Sequence, residues 1–267
     1  MDINFVVNNI LQYPERLGLT AAYIESDALR YKQYGKYNAC AVHREGSRLL
    51  GELSGLESAC DMNLLRKWNL RYLAWQKKLR QLKQVMPVHG EFAEAGKIIL
   101  YKQAISKECA VHGWDYEHYF NSVLVHERVH YLQHQAILQQ FGAAGLPQQC
   151  EEYKKAQFYW FGGASTLNLA YARTVKETLA EFIRFLWCVR QGYLAVAQAV
   201  TQRLMGTRAY YPAYPYAGVR GLCALYERDA EAAVQAWQRL WQMSLASWQE
   251  AYKFIALLNG EDFVSLV

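Results

Sequence analysis

His126-Glu127-Arg128-Val129-His130 sets two imidazoles four residues apart, with a carboxylate one step after the first. On an α-helix, residues four apart lie one turn above each other on the same face, so both rings can converge on one ion. Imidazole nitrogens bind Zn²⁺ tetrahedrally at about 2.0–2.1 Å. Glu127 would then reach a water in the ion's open position and take its proton, acting as general base in metal-assisted hydrolysis. Two histidines do not complete such a site, which needs a third protein ligand. His134 lies two turns beyond His126, about 12 Å along the axis, too far to share an ion with both on a straight helix.

Glu177 and Glu181 are the stronger candidates. They stand four apart within Thr174-Val175-Lys176-Glu177-Thr178-Leu179-Ala180-Glu181, so their carboxylates share one helix face while Leu179, Phe182, Ile183 and Leu186 form another. Carboxylates beside an apolar stripe are costly to bury unless paired or metal-bound. Ala180 is small enough to let the two helices approach. Glu177 is the expected third ligand, and Glu181 the group that receives a histidine's other N–H and orients the ring. A different reading makes Thr174 and Glu177 a helix-capping box; Glu151 and Glu152 are reserve ligands. Tyr210 and Tyr211, with Tyr214 and Tyr171, are the candidate oxyanion donors.

Elements must hold these groups in place. Tyr116, Tyr119, Phe120, Val123, Leu124, Tyr131, Ile137 and Leu138 recur largely at three- and four-residue steps, the pattern of a helix. Asp115 is its predicted N-cap, and Gly142, Gly145 and Pro147 its predicted stop. Lys97–Tyr101 reads as a short strand before it. The glutamates fall on a helix starting near 165 or 174 and running to Arg190. Further helices are predicted over 193–205 and 227–258, separated by a proline- and tyrosine-rich loop at 210–216. Upstream, the pattern predicts a helix near 20–34 and a long one from Asp61 to Met86, ended by Pro87.

Apolar residues make up 52% of the chain and aromatic residues 14%, which indicates a buried core rather than disorder. No basic leader with an apolar run opens the sequence, and no stretch reaches the ~18 apolar residues of a membrane span. Cys40, Cys60, Cys109, Cys150, Cys188 and Cys223 are scattered, as expected of free thiols in a reducing compartment, so a cytoplasmic location is expected. The net charge of +5 is too mild to indicate nucleic acid by itself. Arg66, Lys67, Arg71, Lys77, Lys78, Arg80 and Lys83 nevertheless follow one another with no acidic residue between Met62 and Gly90. Interleaved with Trp68, Tyr72 and Trp75, they could grip phosphates, or form a solvated face over an aromatic one.

His126-Glu127-x-x-His130 followed by Glu177-x-x-Ala180-Glu181 resembles the gluzincin metallopeptidases, over about residues 90–185. The strand-like Gly96–Leu100 before the motif helix is similar to the ImmA/IrrE-like and minimal gluzincin cores. Val129 stands where that family often has Gly, Glu181 where it usually has Asp, and Ile183 where it usually has Phe. The resemblance implies a zincin-like core with a small short-stranded sheet, a motif helix and a glutamate helix; with the N- and C-terminal helices read from the apolar spacing, the expected fold is mainly α (α+β). The expected organisation is a helical region over 1–90, the metal-binding core over 91–192 and a helical region over 193–267, together one unit. It implies a zinc metallopeptidase, a hydrolase acting on a protein or peptide, with zinc on His126, His130 and Glu177 and Glu127 as base. The alternative is a DNA-associated or partner-binding regulator with restricted or no proteolysis.

Overall fold

The computed structural model of the chain describes residues 1–19, 22–34, 62–79, 84–93, 97–158, 164–205 and 218–260, with positions 45, 48, 49 and 52 between them. Its architecture is mainly helical with a small three-stranded sheet. The helices are α1 (Ile3–Asn9), α2 (Met62–Leu79), α3 (Lys102–His112), α4 (Tyr116–Phe158), α5 (Ala164–Arg190), α6 (Leu194–Met205), α7 (Arg220–Arg228), α8 (Ala230–Ala246) and α9 (Trp248–Leu258). The strands are β1 (Tyr23–Ser26), β2 (Tyr31–Tyr34), β3 (Gln84–Pro87), β4 (Gly90–Ala93) and β5 (Lys97–Tyr101). No helix among the described residues is long and apolar enough to cross a membrane.

Helix α4 carries the motif. Asp115 begins it as predicted, its carboxylate accepting from the backbone N–H of His118 at 2.9 Å. Tyr119, Val123, Leu124, Val125, Val129 and Leu132 are buried on its inner side. The helix does not stop at Gly142–Pro147 but continues to Phe158. Each glycine costs a helix only about 1 kcal/mol and one proline about 3 kcal/mol, which a helix of 43 residues can absorb. Helix α5 packs along α4 and is buried on every described side chain from Arg173 to Cys188.

The sheet has the order β1-β5-β4, with β1 parallel and β4 antiparallel to β5. Ile98 and Leu100 of β5, both buried, face the helical layer. Strand β5 was expected; β1 and β2 stand where a helix over 20–34 was predicted. Pairing of Tyr23–Ser26 with Ile98–Tyr101, and of Tyr31–Tyr34 with Gln84–Pro87, is long-range and overrides the local helical pattern. The same pairing places Met86 and Pro87 in β3, so the helix predicted to run to Met86, described over Met62–Leu79, does not reach it. The first sheet thus joins residues from both sides of position 90.

The expected helix over 227–258 is broken into α7, α8 and α9. Asp229 accepts from Ala232 N–H and Ser247 from Glu250 N–H, so each residue starts a new helix. Ser247 with Glu250 three later is a capping-box signature inside an apolar pattern that continues across the break. These helices brace α5: the Trp237 indole N–H donates to the Leu179 carbonyl at 3.0 Å, between the two glutamates. On α2, Trp68 and Tyr72 stack at 4.9 Å, and two of the basic residues are paired, Arg71 with Glu52 at 2.8 Å and Lys78 with Glu45 at 2.9 Å. Arg66 and Lys67 lie on the same helix, as does the backbone of Lys77, while Arg80 and Lys83 fall outside the described residues. Cys109, Cys188 and Cys223 are free and buried.

Trp237 is fully buried. Trp237→Phe, which keeps an aromatic ring but removes the donor, should lower the unfolding free energy by about 1–3 kcal/mol, read from the urea midpoint. A change within about 0.5 kcal/mol, the range of ordinary surface substitutions, would show that this bond does not secure α5.

Candidate metal centre

One helical turn brings the His126 and His130 rings to 4.7 Å between centroids, nearly perpendicular to each other. Their Nε2 atoms are 3.0 Å apart. Across the α4–α5 seam, Glu177 Oε2 lies 3.2 Å from His126 Nε2 and 3.4 Å from His130 Nε2. Two ligands at 2.0–2.1 Å on a tetrahedral ion stand about 3.3–3.4 Å apart. The three donors, 3.0–3.4 Å apart, lie close to that spacing and could hold a metal ion. They form the single group of this kind among the described residues.

Each ring is oriented from its other nitrogen. Gln133 Nε2 donates to the Lys176 carbonyl at 3.0 Å, which turns Gln133 Oε1 toward His130 Nδ1 at 2.8 Å. An amide oxygen only accepts, so this contact calls for a proton on His130 Nδ1 and leaves Nε2 as the nitrogen that faces Glu177. His126 Nδ1 lies 2.7 Å from Glu181 Oε2, the supporting contact expected of that residue. Gln133 was not among the expected site residues. It stands three residues after His130 on the same face, but nothing in a lone glutamine separates it from ordinary surface.

Burial raises the stakes for every charge here. His126, Glu127, Glu177 and Glu181 are all buried. Desolvation works to lower the His126 pKa, but Glu177 and Glu181 outweigh it and push it up to about 10. Desolvation likewise opposes ionisation of Glu181, yet Arg184 and His126 bring it down to about 2. Glu177 is held well below the ordinary carboxylate range against its own desolvation, by hydrogen bonds from His126 and His130. Arg184 reaches Glu181 at 3.1 Å and Ser122 Oγ at 3.1 Å, and its guanidinium lies 5.1 Å from the Tyr119 ring centre. Arg173 Nε stands 3.9 Å from Glu177 Oε1.

Thr174 lies ten residues inside α5, which begins at Ala164, so the capping-box reading of Glu177 is set aside. His134 is outside the donor group; its ring packs on Phe92 at 5.5 Å. Arg128, inside the motif, turns away and donates to the carbonyls of Ile10 and Leu11 at 2.7 and 3.2 Å, tying the end of α1 to α4. Glu151, Glu152 and Tyr171 lie on described helices, with side chains outside the described residues; Tyr210, Tyr211 and Tyr214 fall outside them altogether. No family model matches this chain, and neither a curated protein nor a solved structure matches it.

The charge cluster dictates how stability follows pH in the metal-free protein. Glu181 and Glu177 have folded pKa values below their reference of 4.5, so their contribution is present above 4.5 and lost as pH falls through the folded values, about 2 for Glu181. His126 is raised from 6.5 to about 10, so its contribution is present below 6.5 and lost as pH rises toward about 10. The urea midpoint should therefore peak between pH 4.5 and 6.5. Glu181→Gln should flatten the acid limb; an unchanged limb would remove Glu181 from the acid response.

Proposed function

We propose that the chain is a zinc-dependent metallopeptidase of gluzincin type, with a zincin-like core formed by the β1-β5-β4 sheet, the motif helix and the glutamate helix. The observation that carries this reading is the convergence of two imidazole nitrogens and a carboxylate oxygen, 3.0–3.4 Å apart, from two separate helices. Three protein ligands with an adjacent unligated glutamate are the donor set of a catalytic, not a structural, zinc site, because a structural ion is closed by four protein ligands. The residues fit the ion, and His126, His130 and Glu177 would hold it. When bound, Zn²⁺ supplies Lewis-acid polarisation of a scissile carbonyl and acidifies water to a pKa of about 7.

The chain's own groups do the rest. Glu127 accepts a proton from the attacking water and returns it to the departing amine nitrogen. Gln133 keeps His130 in the tautomer whose Nε2 is free to coordinate, and Glu181 faces the Nδ1–H of His126 and orients that ring without taking its proton. Arg184 neutralises Glu181, so the pair of glutamates does not repel itself apart in the interior. The substrate class is a protein or peptide.

Glu127→Gln should retain one zinc per chain and lose hydrolysis by about 10²–10⁴-fold, the range of a general base. His130→Ala should lose the metal in elemental analysis. Zinc-free wild type, or full turnover by Glu127→Gln, would each end this reading.

A further inference from the structure

Strand β4 runs along the motif helix, and alternate residues face it, as a pleated strand requires. Phe92 meets Tyr131 edge-on at 5.8 Å and His134 at 5.5 Å. Two residues earlier, Gly90 lies directly on Glu127. A Cβ at Gly90 would stand 2.9 Å from Glu127 Cγ, 3.0 Å from Glu127 Oε1 and 2.9 Å from Val123 Cγ1. Nonbonded carbons do not approach that closely, so a methyl group here must displace one of its neighbours.

The strand cannot simply retreat. His89, just before Gly90, is anchored on three sides. Its carbonyl accepts from Tyr101 N–H at 2.8 Å, its Nδ1 lies 3.2 Å from the Tyr119 hydroxyl, and its Nε2 lies 3.8 Å from Glu108 Oε2. Tyr119 is buried on α4, two turns before Glu127, with the Arg184 guanidinium near its ring. His89 at one end and Phe92 at the other therefore pin β4 to α4, and Gly90 is pressed between them. Val123 and Glu127 are both buried, and the Glu127 carboxylate, at the end of the longer and more flexible side chain, is the group that gives way.

We propose that Gly90 is a positioning residue for Glu127: its missing side chain forms the seat of the general base, and the His89–Tyr119 contact holds the strand at the height that keeps the seat filled. This rests on Glu127 being the base of a zinc peptidase, as read above. Arg184 extends the same anchoring to Glu181 and so to His126, which couples the seat of the base to the orientation of a metal ligand.

The test is Gly90→Ala in the full chain, with Tyr119→Phe as the milder variant that breaks the His89 contact without adding bulk. The crystal structure of metal-free Gly90→Ala should show the Glu127 carboxylate displaced by about 1 Å with His126, His130 and Glu177 in place, and zinc content should stay at one per chain. A misplacement of that size lowers kcat by about 10²-fold, with KM unchanged, and Tyr119→Phe should lower it in the same direction by less. In a Glu127→Gln background, Gly90→Ala should cause no further loss, because the two act as a unit. A Glu127 that stays in place, or an equal loss in the Glu127→Gln background, overturns the inference. Zinc-loaded wild type that hydrolyses no peptide overturns the peptidase reading instead, and the position of Glu127 in the variant crystal still decides whether Gly90 seats it.

Discussion

Two imidazoles and two carboxylates withdrawn from water between α4 and α5 are the constraint that the rest of the molecule answers. A lone ionised carboxylate in such a place would surrender its charge rather than accept the desolvation. Here each has a positive or hydrogen-bonding partner: Glu177 faces both histidines, and Glu181 lies between His126 and Arg184. The arrangement is self-consistent only if all four side chains keep their places, so the seam between the helices must be rigid. A metal ion held by the same oxygens and nitrogens would satisfy them with one compact charge, and His126 would have to release a proton to bind it.

The surrounding elements supply that rigidity from three directions. From the N-terminal side, Arg128 ties the end of α1 to α4, and Arg190 of α5 bonds Asn4 and Asn8 of α1, so one short helix clamps both partners of the seam. From behind α5, Trp237 bonds the backbone between the glutamates, and Gly218 comes so close that a Cβ there would collide with Thr178 Oγ1. From the front, β4 lies along α4. The motif's two intervening residues are thus structural: Arg128 reaches outward to α1, and Val129 fills the core.

The histidine face of α4 was legible because helical periodicity alone brings His126 and His130 together, and Asp115 is a capping residue whose action is local. Strand β5 was legible as a short apolar, β-branched run directly after Gly96. The remaining strands were not, since Tyr23–Ser26 and Gln84–Pro87 become strands through partners some fifty to seventy-five residues away. Helical spacing that ran on to Met86 misled for the same reason, as pairing of Met86 with distant Lys32 outweighed a local preference. Ser247 could have been read: its spacing to Glu250 marks a helix start, masked by tryptophans and leucines that keep the apolar rhythm going. Gln133 could not, because its role exists only when the Lys176 carbonyl of another helix is in reach.

By itself, then, the order of residues determined which groups could bind an ion and that two of them share a helix face, because a 3.6-residue repeat is a property of the chain's own backbone. Only the tertiary structure decided that Glu177, fifty-one residues from His126, closes the donor set, that Gln133 and Glu181 orient the two rings, and that Gly90 presses on Glu127. Those contacts depend on how two helices and a strand pack, and packing is set by the summed fit of side chains remote in sequence, which no local pattern encodes.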